Sequence, residues 1–207
     1  DVLVWINPNN PTGETIAPER LLRWHKRLQR RGGWLVIDEA FVDGCPELSL
    51  GFATGRHGLV VLRSLGKFFG LAGVRAGAVL AGPELAEGLR NAIGPWTVSG
   101  PARYVMSRAL RDERWQAATA KRLSADIQRL ERLLSDHGLD ASSGTLLFRH
   151  VPHPRSAELA EALAAQGVLV RRFDQPPALR FGLPGSEAEW ERLSQALMAC
   201  GMSLTNG

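Results

Sequence analysis

The sequence predicts an α/β protein in which a mostly parallel sheet with flanking helices is joined to a small α+β domain. Short apolar runs without alternation are typical of strands buried on both faces of a parallel sheet, and they occur at residues 2–6, 34–38 and 59–64. A helical pattern separates the first two runs. Further along the chain, a long amphipathic helix precedes shorter, closely spaced elements, which favours a second, smaller domain.

The first part of the chain contains predicted strands and helices with clear local boundaries. Its elements are a strand at 2–6, a helix at 18–31, strands at 34–38, 59–64 and 75–80, and helices at 83–91 and 101–111. Pro18 suits the first turn of a helix and Gly32 suits its end. The segment from Asn7 to Gly13 is predicted to be a rigid turn, because proline fixes backbone angles there.

The second part is predicted to be built from a long helix and short elements. Residues 112–137 form the helix, since Ile127, Leu130 and Leu134 recur on one face and Gly138 ends it. The later elements are strands at 145–150, 168–172 and 178–182 and helices at 156–166 and 187–199. Ser186 and Glu189 predict a capping box for the last helix, and the tail from Gly201 is expected to fray.

These elements divide the chain into three predicted parts. Residues 1–111 would belong to a large domain, residues 112–137 would be a connecting helix, and residues 138–207 would be a small α+β domain. A length of 207 residues is compatible with one large or two small domains.

Composition excludes several classes of protein. No apolar run approaches the length of a membrane-spanning helix. The net charge is +4, but the basic residues are spread along the chain, which argues against a nucleic-acid partner. Cys45 and Cys200 form no metal or redox pattern and are expected to be reduced thiols of a cytoplasmic protein. The histidines show no paired ligand spacing, so no metal is expected.

Lys67 is the most informative residue of the sequence. The chain has 25 basic side chains, and the lysines among them are Lys26, Lys67 and Lys121. Lys67 lies in a loop of glycines and apolar residues, where we expect its amine to be buried. A buried ammonium has a lowered pKa and becomes a nucleophile, which arginine cannot do. Such an amine suits a Schiff base with a carbonyl substrate or with pyridoxal phosphate, although a surface lysine in a mobile loop has the same sequence features.

Other polar residues near predicted strand ends support a binding site. Ser64 and Arg75 flank the Lys67 loop, and a hydroxyl with a fork-shaped cation suits a phosphate dianion. Asp38 ends a buried strand, which is where open α/β sheets bind ligands. Asn10 lies in the proline-bounded turn after the first strand, where asparagine amides can act as donors.

These motifs, in this order, resemble one family. Asn-Pro-x-Asn-Pro-Thr-Gly from Asn7, Asp-Glu-Ala-Phe from Asp38, and Ser-x-x-Lys from Ser64 followed by Gly-x-Arg-x-Gly are similar to the fold-type-I pyridoxal-phosphate enzymes of the aspartate aminotransferase superfamily. The similarity is specific from Asn7 to about Gly77 and continues more weakly to Arg180.

The resemblance implies a role for each matching residue. Lys67 would form the Schiff base with pyridoxal 5'-phosphate, and Asp38 would pair with the protonated ring nitrogen. Asn10 would donate to the phenolic oxygen of the ring. Ser64 and Arg75 would hold the cofactor phosphate.

Two arginines of the predicted small domain are candidates for binding the substrate. By resemblance, Arg180 would bind the substrate α-carboxylate. Arg171 aligns loosely with a family arginine near the substrate phosphate, and an ordinary solvated cation at a strand end explains it equally well. The implied substrate is a phosphorylated amino acid.

Two branches of the superfamily have similar loops, the threonine-phosphate decarboxylases of cobalamin biosynthesis and the histidinol-phosphate aminotransferases. Phe41 stands where most aminotransferases have a tyrosine, and Gly66 stands where a serine usually precedes the lysine. Both features resemble the decarboxylase branch, which forms (R)-1-aminopropan-2-yl phosphate from L-threonine O-3-phosphate. Histidinol-phosphate or related class I/II aminotransfer remains the alternative, and a non-catalytic basic binding module is a third.

The resemblance also concerns the extent of the chain. Residue 1 already precedes a predicted buried strand, which needs a neighbour on each side. We therefore expect this chain to be the carboxy-terminal part of a longer enzyme. The family further implies a homodimer for the full-length protein.

Overall fold

The computed structural model describes residues 1–140 and 143–205, which form two compact units. The first unit takes in residues 1–10 and 14–118, and the second takes in residues 11–13 and the described residues from 119 onward. The last change from one unit to the other, between residues 118 and 119, lies inside the predicted connecting helix. The three-part division at 1–111, 112–137 and 138–207 stays a prediction.

The first unit contains a mixed sheet. Its strands are β1 (Val2–Ile6), β2 (Trp34–Asp38), β3 (Leu59–Ser64) and β4 (Gly77–Ala81), and they lie in that order. The first three strands are parallel, whereas β4 runs antiparallel to β3. The predicted α/β class with a mostly parallel sheet is therefore confirmed.

Helices and buried side chains complete this unit. The helices are α1 (Pro18–Gln29), α2 (Pro83–Ile93) and α3 (Gly100–Arg111). Inward-facing residues of the central strands pack with one face of α1, and the buried apolar core consists of Leu21, Leu35, Ile37, Leu50, Ala53, Leu59 and Val61. On the edge strand β1, Val2 and Val4 face away from this core and are 65% and 61% exposed.

The second unit is built on an antiparallel sheet. The elements that follow the first unit are α4 (Glu113–Ser135), β5 (Ser143–Thr145), β6 (Phe148–Pro152), α5 (Ser156–Ala165), β7 (Arg171–Asp174), β8 (Pro177–Gly182) and α6 (Glu187–Thr205). The strands lie in the order β5-β6-β8-β7. Their core includes Ile127, Leu130 and Leu134 of α4, so the predicted apolar face of that helix is confirmed. The unit has the predicted α+β character.

Three boundaries in the second unit were predicted wrongly. The predicted strand at 145–150 is interrupted, because the hydroxyl of Thr145 accepts from the amide of Leu147 at 3.1 Å in a turn between β5 and β6. The predicted strand at 168–172 starts only at Arg171, since the amide of Val168 still caps α5 by donating to the carbonyl of Leu163 at 2.9 Å. The expected frayed tail from Gly201 is helical as far as Thr205, and residues 206–207 lie outside the described residues.

The start of α6 has the capping contacts that the sequence predicts. The carboxylate of Glu189 accepts from the amide of Ser186 at 3.2 Å, and the amide of Glu189 donates to the Ser186 hydroxyl at 3.3 Å. The predicted capping box is thus confirmed. Within the described ranges, no helix is both long and apolar enough to cross a membrane.

Candidate active site

The carboxyl ends of the three parallel strands bring the predicted cofactor residues to one edge of the sheet. Ile6 pairs with Asp38, and Asp38 pairs with Leu62, so β1, β2 and β3 end side by side. The turn that carries Asn10 follows β1, and the loop that carries Lys67 follows β3. Parallel strands therefore place Asn10, Asp38 and Lys67 on adjoining segments of the first unit.

The turn after β1 is held by the side chain of Asn7, a role that the sequence motif did not reveal. Asn7 is fully buried; its side-chain amide donates to the carbonyl of Ile16 at 3.0 Å, and its Oδ1 accepts from the amide of Ile16 at 2.8 Å. The amide of Asn9 donates to the carbonyl of Glu14 at 2.8 Å. These bonds close the turn and leave Asn10 exposed near its tip.

Asp38 is half-buried at the end of β2. Its Oδ1 accepts from the backbone amide of Ala40 at 2.9 Å, which orients the carboxylate. This bond is made to the backbone two residues on, so it restrains the side chain by local geometry.

The loop after β3 buries its apolar residues and exposes Lys67. Phe68 and Phe69 are buried, and the ring of Phe69 stacks on Trp115 with centroids 5.9 Å apart. Lys67 is exposed, so the expectation of a buried amine was wrong. The two phenylalanines that follow Lys67 occupy the buried positions of the loop. The Lys67 Nζ instead lies over the ring of Phe41, 5.5 Å from the centroid.

A small cavity lies between the two ends of this loop. It has a volume of about 260 Å³ and is lined by Ser64, Gly66, Leu71, Ala72, Arg75, Ala76 and Gly77. The Ser64 hydroxyl accepts from the amide of Gly66 at 3.1 Å. Hydroxyl, amide and guanidinium groups around a cavity of this size suit a phosphate group. Ser64 and Arg75 therefore line one cavity, and their role toward a phosphate stays a prediction.

Arg75 has an unusual backbone conformation. Its φ is 54° and its ψ is 44°, in the left-handed region, and its guanidinium donates to the carbonyl of Ala72 at 3.3 Å. A non-glycine residue there costs about 1–2 kcal/mol. This conformation also explains why β4 begins at Gly77 and not at the predicted position 75. Strained residues of this kind occur often at ligand-binding sites.

Behind Asp38 and Ser64 lies a network of charged residues that was not predicted from the sequence. Glu39 is fully buried; its carboxylate accepts from the Ser49 hydroxyl and from the amide of Leu50, each at 2.6 Å. The guanidinium of Arg63 lies 3.6 Å from Glu39 and is paired with Asp43. A charged residue at the end of a predicted buried strand needs a partner if it is buried, and this is the sequence signal that could have indicated the network.

Burial dominates the electrostatics of this network. It raises the pKa of the Glu39 carboxyl above its usual value, although the hydrogen bonds from Ser49 and Leu50 and the charge of Arg63 oppose the change. Burial likewise raises the pKa of Asp43, against the opposing charge of Arg63.

The two predicted substrate arginines are neighbours in the second unit. Arg171 and Arg180 pair directly across β7 and β8. The Arg180 guanidinium lies over the ring of Phe148, 5.1 Å from its centroid. Burial, and to a lesser degree the positive charge of Arg171, lower the pKa of Arg180. Two like charges directly opposite each other are unfavourable, and a bound anion would relieve their repulsion.

The chain is similar to one family over nearly its whole length. A family model described as aminotransferase class I and II matches residues 1–197. A threonine-phosphate decarboxylase of Pseudomonas aeruginosa is 52% identical over 198 residues, which are 96% of this chain and 60% of the relative. A threonine-phosphate decarboxylase of a Sinorhizobium species is 43% identical over 95% of this chain and 59% of the relative.

Solved structures show the same fold. The crystal structure of a histidinol-phosphate aminotransferase from Sinorhizobium meliloti in complex with pyridoxal-5'-phosphate has a TM-score of 0.84 and 24% identity. The likeness covers 98% of this chain and 58% of that one. This chain thus spans about three fifths of the length of the proteins that it matches.

Proposed function

The chain belongs to the aminotransferase class I and II family, and from this membership we propose that the protein is a pyridoxal-phosphate-dependent decarboxylase. Its substrate is L-threonine O-3-phosphate, and its products are (R)-1-aminopropan-2-yl phosphate and carbon dioxide, in cobalamin biosynthesis. The observation that carries this proposal is the 52% identity to a threonine-phosphate decarboxylase across 96% of the chain.

The residues present fit the cofactor of this family, pyridoxal 5'-phosphate. The cavity bounded by Ser64 and Arg75 offers a hydroxyl and a guanidinium for the phosphate. Lys67 lies in the loop that leads from this cavity, and Asp38 ends the adjacent strand. We assign Lys67 to the covalent bond with the cofactor aldehyde, Asp38 to its ring nitrogen and Asn10 to its phenolic oxygen. When bound, the cofactor supplies an electron sink for the bond that breaks at the substrate Cα.

The chain's own side chains then have distinct tasks. The Asp38 carboxylate, oriented by the amide of Ala40, holds a proton on the ring nitrogen through its negative charge. Ser64 and Arg75 anchor the phosphate and so fix the position of the ring. The Lys67 amine would hold the cofactor covalently, and as a general acid it would supply the proton that the substrate Cα gains when carbon dioxide leaves.

The choice between decarboxylation and transamination would depend on how the substrate is oriented at its Cα. That orientation is set by the groups that bind the two anions of the substrate. Arg180 and Arg171 are suited to this task, because their facing positions on β7 and β8 form a cationic pair. We assign Arg180 to the α-carboxylate and Arg171 to the substrate phosphate.

Aminotransfer to or from a phosphorylated substrate, as in histidinol-phosphate aminotransferases, is the second candidate. It is supported by the similarity to a histidinol-phosphate aminotransferase of Salmonella arizonae, which is 32% identical over 93% of this chain. The higher identity of 52% supports the decarboxylase instead. We further propose that the full-length protein is a homodimer, as is general in this family.

Product analysis tests the proposal. Full-length protein with added pyridoxal phosphate is incubated with L-threonine O-3-phosphate, and in parallel with histidinol phosphate and a 2-oxo acid. We expect carbon dioxide and (R)-1-aminopropan-2-yl phosphate, identified by mass spectrometry, only in the first reaction. The Lys67→Ala variant is the control for uncatalysed loss of carbon dioxide from the substrate. Formation of an amino acid from the 2-oxo acid, without release of carbon dioxide, would show an aminotransferase.

A further inference from the structure

A charged network lies behind the two strand ends that carry the candidate site. Glu39 accepts from Ser49 and from the amide of Leu50, and the Arg63 guanidinium donates to Asp43 and, at 3.4 Å, to the Ser49 hydroxyl. The network therefore ties β3, the end of β2 and the segment that follows β2 to one another.

Each central member of the network is adjacent in sequence to a site residue. Glu39 follows Asp38, and Arg63 precedes Ser64. Because side chains alternate along a strand, Asp38 and Ser64 face one side while Glu39 and Arg63 face the other. The amide of Glu39 donates to the carbonyl of Leu62 at 2.9 Å, which joins the two strand ends at this level.

The charges of the network make it costly as a purely structural device. Glu39 is fully buried, and the side chains of Asp43 and Arg63 are 9% and 27% exposed. One guanidinium serves two carboxylates, and among the described residues Oδ2 of Asp43 is buried without a hydrogen-bond partner. Buried ion pairs are often no more stabilising than apolar residues of the same volume, so stability alone does not account for this arrangement.

We propose that Glu39 and Arg63 are positioning residues that set the separation between Asp38 and Ser64. This inference rests on the proposed function, in which Asp38 serves the ring nitrogen of pyridoxal phosphate and Ser64 serves its phosphate. The ring nitrogen and the phosphate of this cofactor are joined by a planar ring and a short arm, so the groups that bind them must be held within a narrow range of distances. The forked guanidinium of Arg63 fixes that spacing from behind, since one terminal nitrogen contacts Glu39 and Ser49 while the other contacts Asp43.

Variants of the network in full-length protein test the proposal. Glu39→Gln keeps the shape of the side chain but removes its charge, and Arg63→Lys keeps the charge but loses the fork. The matched control is Arg155→Met, which breaks an exposed ion pair with Glu158 on α5. Each protein is titrated with pyridoxal phosphate, and the dissociation constant, the visible absorption maximum and the thermal midpoint are measured.

We expect Glu39→Gln and Arg63→Lys to raise the dissociation constant for pyridoxal phosphate at least about tenfold, because small displacements of positioning groups are costly. We also expect a shifted absorption maximum, which a merely structural role would not produce. Arg155→Met should match the wild type in both readouts. Arg63→Met is a more severe change. If this variant fails to fold, Glu39→Gln and Arg63→Lys test the proposal.

Two failures are distinguishable. If the wild type does not bind pyridoxal phosphate, the proposed function is wrong. If the wild type binds it and both network variants have the same dissociation constant and spectrum as the wild type, the positioning role is overturned while the proposed function stands. A lower thermal midpoint with unchanged binding would likewise overturn it and would show a structural role alone.

Discussion

The Nζ of Lys67 lies over the ring of Phe41, 5.5 Å from its centroid, so the loop after β3 meets the loop after β2 at this contact. Phe41 is three residues beyond Asp38, and the contact therefore brings the candidate nucleophile beside the segment that carries the candidate ring partner. An ammonium over an aromatic face is stabilised by about 0.5–1 kcal/mol at exposed sites. The contact holds an exposed lysine near the strand ends.

Replacement of Lys67 by alanine tests the covalent role. We expect Lys67→Ala in full-length protein to lose the visible absorption of bound cofactor and to reduce activity by at least about 10⁴-fold, as removal of a covalent group does in other enzymes. Absorption spectra and product assays measure both. Lys121→Ala, on α4, is the control and should behave as the wild type. A borohydride-reducible cofactor linkage that persists in Lys67→Ala would exclude this residue.

Asp38→Asn tests the partner of the ring nitrogen. The fold should be retained, because an asparagine Oδ1 can still accept from the amide of Ala40. An amide carries no charge, whereas a nearby anion raises the pKa of a cation by about 1–3 units, so we expect turnover to fall by about 10- to 1000-fold. Circular dichroism checks the fold and product formation checks turnover. Near wild-type turnover would refute the assignment.

Arg75 offers a test that separates backbone strain from phosphate binding. Arg75→Gly should relieve the left-handed strain and stabilise the cofactor-free protein by up to about 1 kcal/mol, while Arg75→Ala keeps that conformation. Both variants lose the guanidinium, so both should bind pyridoxal phosphate more weakly. Denaturant unfolding measures the stability of each variant, and cofactor titration measures its affinity for pyridoxal phosphate. Equal stability of the two variants would contradict the strain argument, and undiminished affinity would contradict the phosphate role.

The arginine pair on β7 and β8 predicts two different kinetic effects. Arg180→Gln should raise KM for every amino-acid substrate by about 10- to 100-fold, since charge-assisted hydrogen bonds contribute about 1.5–3 kcal/mol. Arg171→Gln should raise KM for threonine phosphate but leave the weak binding of threonine unchanged. Arg172→Gln, which removes an exposed pair with Asp174, is the control. Equal effects of Arg171→Gln on both ligands would contradict a phosphate contact.

The buried carboxyl of Glu39 predicts a pH dependence of stability. Its pKa is raised above the usual 4.5 in the folded state, so the folded protein binds more protons than the unfolded chain between 4.5 and the raised value. Stability from this group is therefore present at low pH and is lost as the pH rises through the folded pKa.

Comparison with Glu39→Gln isolates this contribution, because other titrating groups are common to both proteins. As the pH falls from about 7.5 to about 4.5, the unfolding free energy of the wild type should rise relative to that of the variant. Urea unfolding at a series of pH values measures the difference. Glu158→Gln, an exposed carboxyl on α5, is the control. A difference that stays constant or changes in the opposite direction would contradict a raised pKa.

Much of the fold was predictable because its signals are local. The strands β1, β2 and β3 were predicted at their observed limits, since an apolar run bounded by polar and glycine residues suits a strand in a buried parallel sheet. The capping box of Ser186 and Glu189 was also predictable, because all of its bonds lie within a few residues. Adjacent parallel strands then imply that Asp38 and the Lys67 loop share one edge.

Other features depend on partners distant in sequence, and only the tertiary structure decided them. Lys67 is exposed because Phe68 and Phe69 fill the buried positions against Trp115, whose place beside the loop no local pattern indicates. The residue pattern determined which groups could perform the chemistry. Packing determined which of them are buried, since a side chain's exposure depends on what the rest of the chain places against it.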